Sequence, residues 1–291
     1  MNLRRPIRPK IANTLEAVAP RRIPRLASLC VGLAYGAQNR IFDRLFGVST
    51  KDISITEGSI FTVGGENCPY SGCQWLPVLR ALKDLAPEPT DVFVDLGSGK
   101  GKALLIAGRL PYRRVIGVEI DDDLSRRSRR NVRQARSRLR AQEVDSITAS
   151  VLEWRIPDEA SVIFMYNPFI GQTFRAAVGQ ILASFDRRPR ELHIVYGYPW
   201  EHDWLVSTGR VVVDNVRPSN WPALPRWWHS GEVIISYRVV GVSAESEPGS
   251  LPRRSIRPHR AIRHWSGPNG HHWTMSAPGG EAQYSCPSDP A

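Results

Sequence analysis

Cysteine is scarce: Cys30, Cys68, Cys73 and Cys286 are the only four among 291 residues, and none forms a CxxC pair. Neither a thiolate zinc site nor a disulfide scaffold is indicated. Such usage suits a reducing cytoplasm, in which Cys68 and Cys73 are expected as free thiols although close enough in sequence to be bridged. The seven histidines form no ligand-spaced set with the cysteines, so no metal is expected. Acidic residues are also in deficit, 28 against 39 basic, for a net charge of +11 carried mostly by arginine. That balance favours contact with phosphates, carboxylates or an acidic protein surface, or else simply aids solubility. Long apolar runs are missing. The nearest, Leu26 to Ala37, starts late for a secretory signal and is too short to span a bilayer. Its continuation through Ile41, Phe42, Leu45 and Phe46 at helical spacing predicts an amphipathic helix docked on a domain.

What is present is enough apolar material, 42% of residues, for one large α/β core with tails. Residues 1–25 combine Pro and Arg with few large apolar groups and read as a basic disordered tail. Residues 26–90 read as a helical extension with helices near Leu26–Leu45 and Gln74–Leu85, separated by a Gly-rich loop at Gly58–Gly72 and stopped by Pro87 and Pro89. From 91 to 242, short β-branched runs alternate with longer amphipathic segments, the signal for a mostly parallel sheet with helices on both faces. Strands are predicted at Val92–Leu96, Val115–Glu119, Ile147–Val151, Val162–Tyr166 and Leu192–Tyr196, and two more at Arg210–Asp214 and Glu232–Val240. Residues 243–291, rich in Ser, Pro, Gly, His and Arg, read as a disordered tail despite Trp265 and Trp273.

The densest chemical signal is Asp95-Leu96-Gly97-Ser98-Gly99-Lys100-Gly101 between the first strand and a helix. Such a turn lets backbone approach a ligand closely. Glu119, at the end of the second strand, is placed to accept both hydroxyls of a ribose. Together these features describe a nucleoside-containing ligand lying across the carboxyl ends of the first two strands. A nicotinamide enzyme calls for GxGxxG, but Lys102 stands where the third Gly belongs; a P-loop calls for a hydroxyl after Gly-Lys, and Gly101 follows instead. The remaining pattern is acidic-x-Gly-x-Gly-x-Gly.

Val92 to Lys102 resembles motif I of class I S-adenosylmethionine-dependent methyltransferases, and five β/α units closed by a strand pair resemble their seven-stranded Rossmann-like sheet. The likeness spans about Val92 to Val240. It implies S-adenosyl-L-methionine as cofactor, with Asp95 orienting its amino acid portion directly or through water and Gly97, Ser98, Gly99 and Gly101 packing against it. Many relatives carry an acidic adenine acceptor after the third strand; here Ser150 and Val151 stand at that position, with Glu153 as an alternative. Tyr70 and Ser71 fall where such enzymes close over the cofactor, and are read as a lid. Asn167-Pro168-Phe169 resembles the Asn/Asp-Pro-Pro-Tyr/Phe motif of amino-group methyltransferases with one Pro absent. On that likeness Asn167 accepts a hydrogen bond from the target nitrogen and Phe169 faces the developing positive charge. The same residues also suit a plain strand-ending turn.

Asp91–Ala107 and Ser161–Gly171 further resemble parts of the non-SET histone lysine methyltransferases, and Phe46–Thr50 is similar to a segment of uncharacterised bacterial methyltransferases, the group this sequence resembles most. The expected function is methyl transfer to a nitrogen of a protein or small molecule. Two alternatives stand: methylation of an RNA or DNA base, and a non-catalytic domain that binds the cofactor or a partner. Trp221, Trp227 and Trp228, in the loop before the last strand, either stack a base or cage an amine, or pack onto the domain. The arginines between Arg126 and Arg140 are either a phosphate-binding surface or a solvated helix face.

Overall fold

Strands buried on both faces need apolar side chains at successive positions, and Val92-Phe93-Val94-Asp95-Leu96 supplies them at all but one. In a computed structural model, which describes residues 25–50, 72–218 and 233–241 and three short strands beyond, all five of these residues are buried and form β1 (Val92–Leu96). The other strands of its sheet are β2 (Arg114–Glu119), β3 (Glu143–Thr148), β4 (Val162–Tyr166), β5 (His193–Gly197), β6 (Val211–Pro218) and β7 (Val233–Val239). Their spatial order is β3-β2-β1-β4-β5-β7-β6. The first five run parallel, and β7 lies antiparallel between β5 and β6. The order reverses between β1 and β4, and an open α/β sheet binds ligands at the carboxyl ends of the strands beside such a reversal.

Alternate side chains of each strand feed two cores. On one face Phe93, Val115, Phe164 and Val195 meet α2 (Trp75–Asp84), α3 (Lys102–Gly108) and α4 (Asp122–Ala135). On the other Val94, Ile116, Ile163, Ile194 and Tyr237 meet α5 (Gly171–Arg187) and α6 (His202–Ser207). The amphipathic extension is one 22-residue helix, α1 (Arg25–Phe46). Phe42 and Phe46 stack on the Trp75 ring at 4.9 and 5.2 Å, which carries the end of α1 onto the first core. The far end of α2 is tied to β6, where Asp84 accepts from Arg217 Nε at 3.0 Å and Asn215 Nδ2 at 3.1 Å. No helix among the described residues is long and apolar enough to cross a membrane.

Two expectations are corrected. β3 runs over Glu143–Thr148, not Ile147–Val151. It is an edge strand paired only with β2, so it needs no apolar run, and its charged residues Glu143 and Asp145 face Arg114 across the ladder. The sequence pattern predicts a helix from Asp122 to about Ala141; α4 instead ends at Ala135 and tightens into a 3₁₀ turn over Arg136–Arg138. Most of its arginines do face solvent, while Ser125, Ser128, Asn131, Val132 and Ala135 are buried. Within the stretch read as a C-terminal tail, Trp265–Ser266, His272–Thr274 and Gln283–Ser285 pair as a small antiparallel sheet. Cys73 is buried. Cys68 and the Gly58–Ser71 loop lie outside the described residues.

Replacing Trp75 with Ala removes the ring shared by α1, α2 and the core. The expected loss is about 3–5 kcal/mol of unfolding free energy. Equilibrium urea denaturation measures it, and a loss under about 1 kcal/mol would show that the stack contributes no more than an exposed contact.

Candidate active site

The turn after β1 is built by three glycines with positive φ: Gly97 at 81°, Gly99 at 52° and Gly101 at 78°. Space makes the same demand at two of them. A Cβ on Gly97 would stand 2.3 Å from Pro168 Cβ, and one on Gly101 would stand 2.4 Å from Ser128 Oγ. The turn is pinned sideways to β2, since the N–H groups of Gly97 and Ser98 both donate to the Val118 carbonyl, at 2.9 and 3.0 Å. Glycine is therefore required here by close approach as well as by conformation.

Two carboxylates flank the turn. Glu119 Oε2 accepts the Gly99 N–H at 2.7 Å, and its Oε1 accepts the Asp121 N–H at 3.0 Å. Burial raises the Glu119 pKa, and the backbone donors at Asp121 and Gly99 oppose that rise. Asp95 is more deeply enclosed, and burial first, then the charge of Glu119, hold its carboxyl well above the usual aspartate range. No cation among the described residues lies within ion-pair distance of either, whereas Asp84, Asp158 and Asp186 are each paired with an arginine.

Across the sheet reversal, the residues at the end of β4 come up against the same turn. Pro168 is the residue that fills the space Gly97 leaves. Asn167 has φ 46°, and Tyr198, just past the neighbouring end of β5, has φ 53°. Non-glycine residues in that region cost of order 1–3 kcal/mol each and gather at functional sites. Tyr196 Oη donates to Asn167 Oδ1 at 3.4 Å and accepts the Glu201 N–H at 3.4 Å. Phe169 is buried in the core, its ring 6.5 Å from that of Phe174.

The structure thus brings Asp95, Gly97, Ser98, Gly99, Gly101, Glu119, Asn167 and Pro168 to one edge of the sheet. Ser150 and Val151 follow β3 on that edge: the Ala149 N–H donates to the Glu119 carbonyl at 2.9 Å, and Ser150 Oγ accepts the Leu152 N–H at 3.2 Å. Tyr70, Ser71, Trp221, Trp227 and Trp228 lie outside the described residues. Sequence reasoning missed Ile120 and Leu152, apolar side chains 55% and 46% exposed just beyond the ends of β2 and β3. The signal at Ile120 was an apolar residue directly after the polar strand end Glu119. It missed Trp200 as well, 41% exposed and 6.0 Å from the Tyr198 ring. Among the described residues no three His, Cys, Asp or Glu side chains are grouped to hold a metal ion.

Asp95 gives a pH signature with a defined sign. A buried carboxyl whose pKa is raised by folding binds its proton more tightly in the folded chain, so the ionised form costs stability at neutral pH. That cost disappears as pH falls through the folded value towards the unfolded one. Asp95→Asn is therefore expected to raise the thermal midpoint of the cofactor-free protein at pH 7.5, with the gap to wild type shrinking as the pH is lowered towards 4. Differential scanning calorimetry across that range checks it; a gap independent of pH would mean that Asp95 is not a burdened carboxylate.

Residues 76–190 match the model of the family described as histone methylation protein DOT1. Among solved structures, similar chains include an RNA methyltransferase from Salinibacter ruber in complex with S-adenosyl-L-homocysteine, 23% identical over 60% of this chain and 95% of that one, with a TM-score of 0.39. An rRNA methylase from Streptococcus thermophilus is 14% identical over 57% of this chain and 97% of that one, with a TM-score of 0.41. Magnesium protoporphyrin IX methyltransferase from Synechocystis PCC 6803 with bound S-adenosylmethionine is 11% identical over 56% and 74%, with a TM-score of 0.40. No curated protein matches the sequence.

Proposed function

We propose that this chain, a class I S-adenosylmethionine-dependent methyltransferase by its strand order, its glycine turn and its family match, transfers methyl to a nitrogen of a protein or small molecule. The residues fit the cofactor. Gly97 and Gly101 leave a cradle that side chains would close, and the two buried carboxylates, without cationic partners among the described residues, suit a ligand carrying positive charge and sugar hydroxyls. When bound, S-adenosylmethionine supplies a sulfonium methyl that an amine lone pair takes as sulfur leaves neutral.

The chain's own residues then bind and orient. Asp95 holds the amino acid portion of the cofactor, directly or through water. Glu119 keeps lone pairs for the ribose hydroxyls while Gly99 and Asp121 fix its rotamer. Ile120, with Ser150 and Val151, borders the adenine. Asn167 Oδ1 accepts a hydrogen bond from the acceptor nitrogen and so aims its lone pair, and Tyr196 Oη fixes that carboxamide from behind. Phe169, packed against Phe174, holds the Asn167-Pro168 turn from beneath. Alignment of this kind supplies much of the rate in an in-line displacement. The observation that carries the reading is the seat of Pro168 against Gly97, which sets Asn167 beside the cofactor turn. A nucleic-acid acceptor is the second reading, favoured by Arg127, Arg130 and Arg133 on the outer face of α4, which are exposed and bonded to no carboxylate among the described residues.

Calorimetric titration with S-adenosylmethionine and with NAD, followed by transfer assays on lysine-containing peptides, small amines and tRNA, tests both parts. The wild type is expected to bind S-adenosylmethionine and not NAD. Glu119→Ala, which removes a charged acceptor, should weaken that binding by about 10- to 100-fold. Asn167→Ala should bind the cofactor within about threefold of wild type yet lose on the order of 100-fold in transfer. Equal transfer by Asn167→Ala would sink the acceptor role, and transfer to tRNA that falls steeply with salt would replace the amine reading with the nucleic-acid one.

A further inference from the structure

The glycine turn has a second support that neither the motif nor the proposed chemistry uses. Asn131, 4% exposed on the inner face of α4, donates from Nδ2 to the Lys100 carbonyl at 3.0 Å and to the Ser49 carbonyl at 3.2 Å. Its Oδ1 accepts the Ser49 N–H at 3.3 Å. One carboxamide therefore pairs with both backbone groups of a residue just past α1 and also with the middle of the cofactor turn. Three residues earlier on α4, Ser128 fills the space in front of Gly101. Positions i and i+3 share a helix face, so α4 grips the turn at two successive points. With its carbonyl drawn towards α4, the Lys100–Gly101 peptide leaves the Gly101 N–H to close the turn on the Ser98 carbonyl at 2.8 Å. The chain after Ser49 is fixed as well, since Asp43 of α1 accepts from the Thr50 N–H at 2.9 Å and from Thr50 Oγ1 at 2.6 Å.

We infer that Asn131 is a positioning residue that makes cofactor affinity depend on docking of the N-terminal extension, by holding Ser49 and the Lys100 peptide in one clasp. The inference rests on the cofactor reading above. A carboxamide is required: aspartate can accept from Ser49 but has no donor for either carbonyl, and leucine has neither.

The test uses the full chain with Asn131→Asp, Asn131→Leu and, from the surface side, Ser49→Pro, which removes the donor to Oδ1. Two readouts are taken: S-adenosylmethionine affinity and kinetics, and amide hydrogen exchange of the cofactor-free protein at Ser49, Gly101 and Leu105. The clasp predicts at least tenfold weaker cofactor binding in Asn131→Asp, expressed as a raised KM for the cofactor with kcat at saturation within a few-fold. It also predicts faster exchange at Ser49 and Gly101 in the Asn131 variants, and at Gly101 in Ser49→Pro, which has no amide at position 49. A merely structural Asn131 would lower the thermal midpoint and leave affinity and the turn amides of the folded protein unchanged, which overturns the inference. If either Asn131 variant fails to fold, Ser49→Pro decides alone, since loss of protection at Gly101 from a change at Ser49 needs the clasp. A wild type that binds no S-adenosylmethionine would strike the cofactor reading, while the exchange data would still decide whether the clasp exists.

Discussion

The hydrogen bond from the Gly99 amide to the Glu119 carboxylate is the constraint on which the site depends, because it joins the turn after β1 to the end of β2. Glu119 holds the next element too: its other oxygen accepts the Asp121 N–H, and Asp121 in turn caps α4 through Leu124. α4 then returns to the turn through Asn131 on the Lys100 carbonyl. The result is a closed circuit of turn, strand end, cap and helix. Each member leaves the next little freedom, which is how a loop comes to hold a geometry as tightly as a strand.

The same circuit carries a burden of charge. Salt-bridged carboxylates elsewhere in the fold lie against arginines, as Asp84 does with Arg217, but Asp95 and Glu119 are buried beside each other and both titrate above their ordinary range. A core selected for stability alone would not place two such groups together. A ligand that brought positive charge and hydroxyl donors would relieve both at once. Local rules broken in this way mark functional sites.

How far the sequence disclosed this depends on what each residue had to satisfy. β1, β2, β4 and β5 are buried on both faces, so their apolar runs announced them to within a residue or two. β3 pairs on one side only and its polar residues concealed it. Asp95, the glycines and Glu119 were legible because close backbone approach and a strand-end acid leave few alternatives. Asn131 was not, since a lone Asn in an Arg-rich helix has no local mark; its meaning comes from Ser49 and Lys100, 82 and 31 residues away. Tyr196 was hidden for the opposite reason, as one more large residue in an apolar strand whose hydroxyl happens to reach Asn167.

The family match divides the sheet into a half that it includes and a half that it mostly leaves out. β1 to β3 and their loops carry the glycine turn and Glu119. β4 to β7 form the other half, with Asn167 and Tyr198 in left-handed conformations and Trp200 exposed. Gly197 is tightly packed in that half, where a Cβ would stand 2.3 Å from the Tyr166 ring. The family match ends at residue 190, three residues before β5 begins at His193. It therefore includes the glycine turn, Glu119 and Asn167, and excludes Tyr196, Tyr198, Trp200 and the strand pair that closes the sheet. The stretch that carries the family likeness holds the glycine turn and its supports, and the left-handed Tyr198 and exposed Trp200 lie outside it.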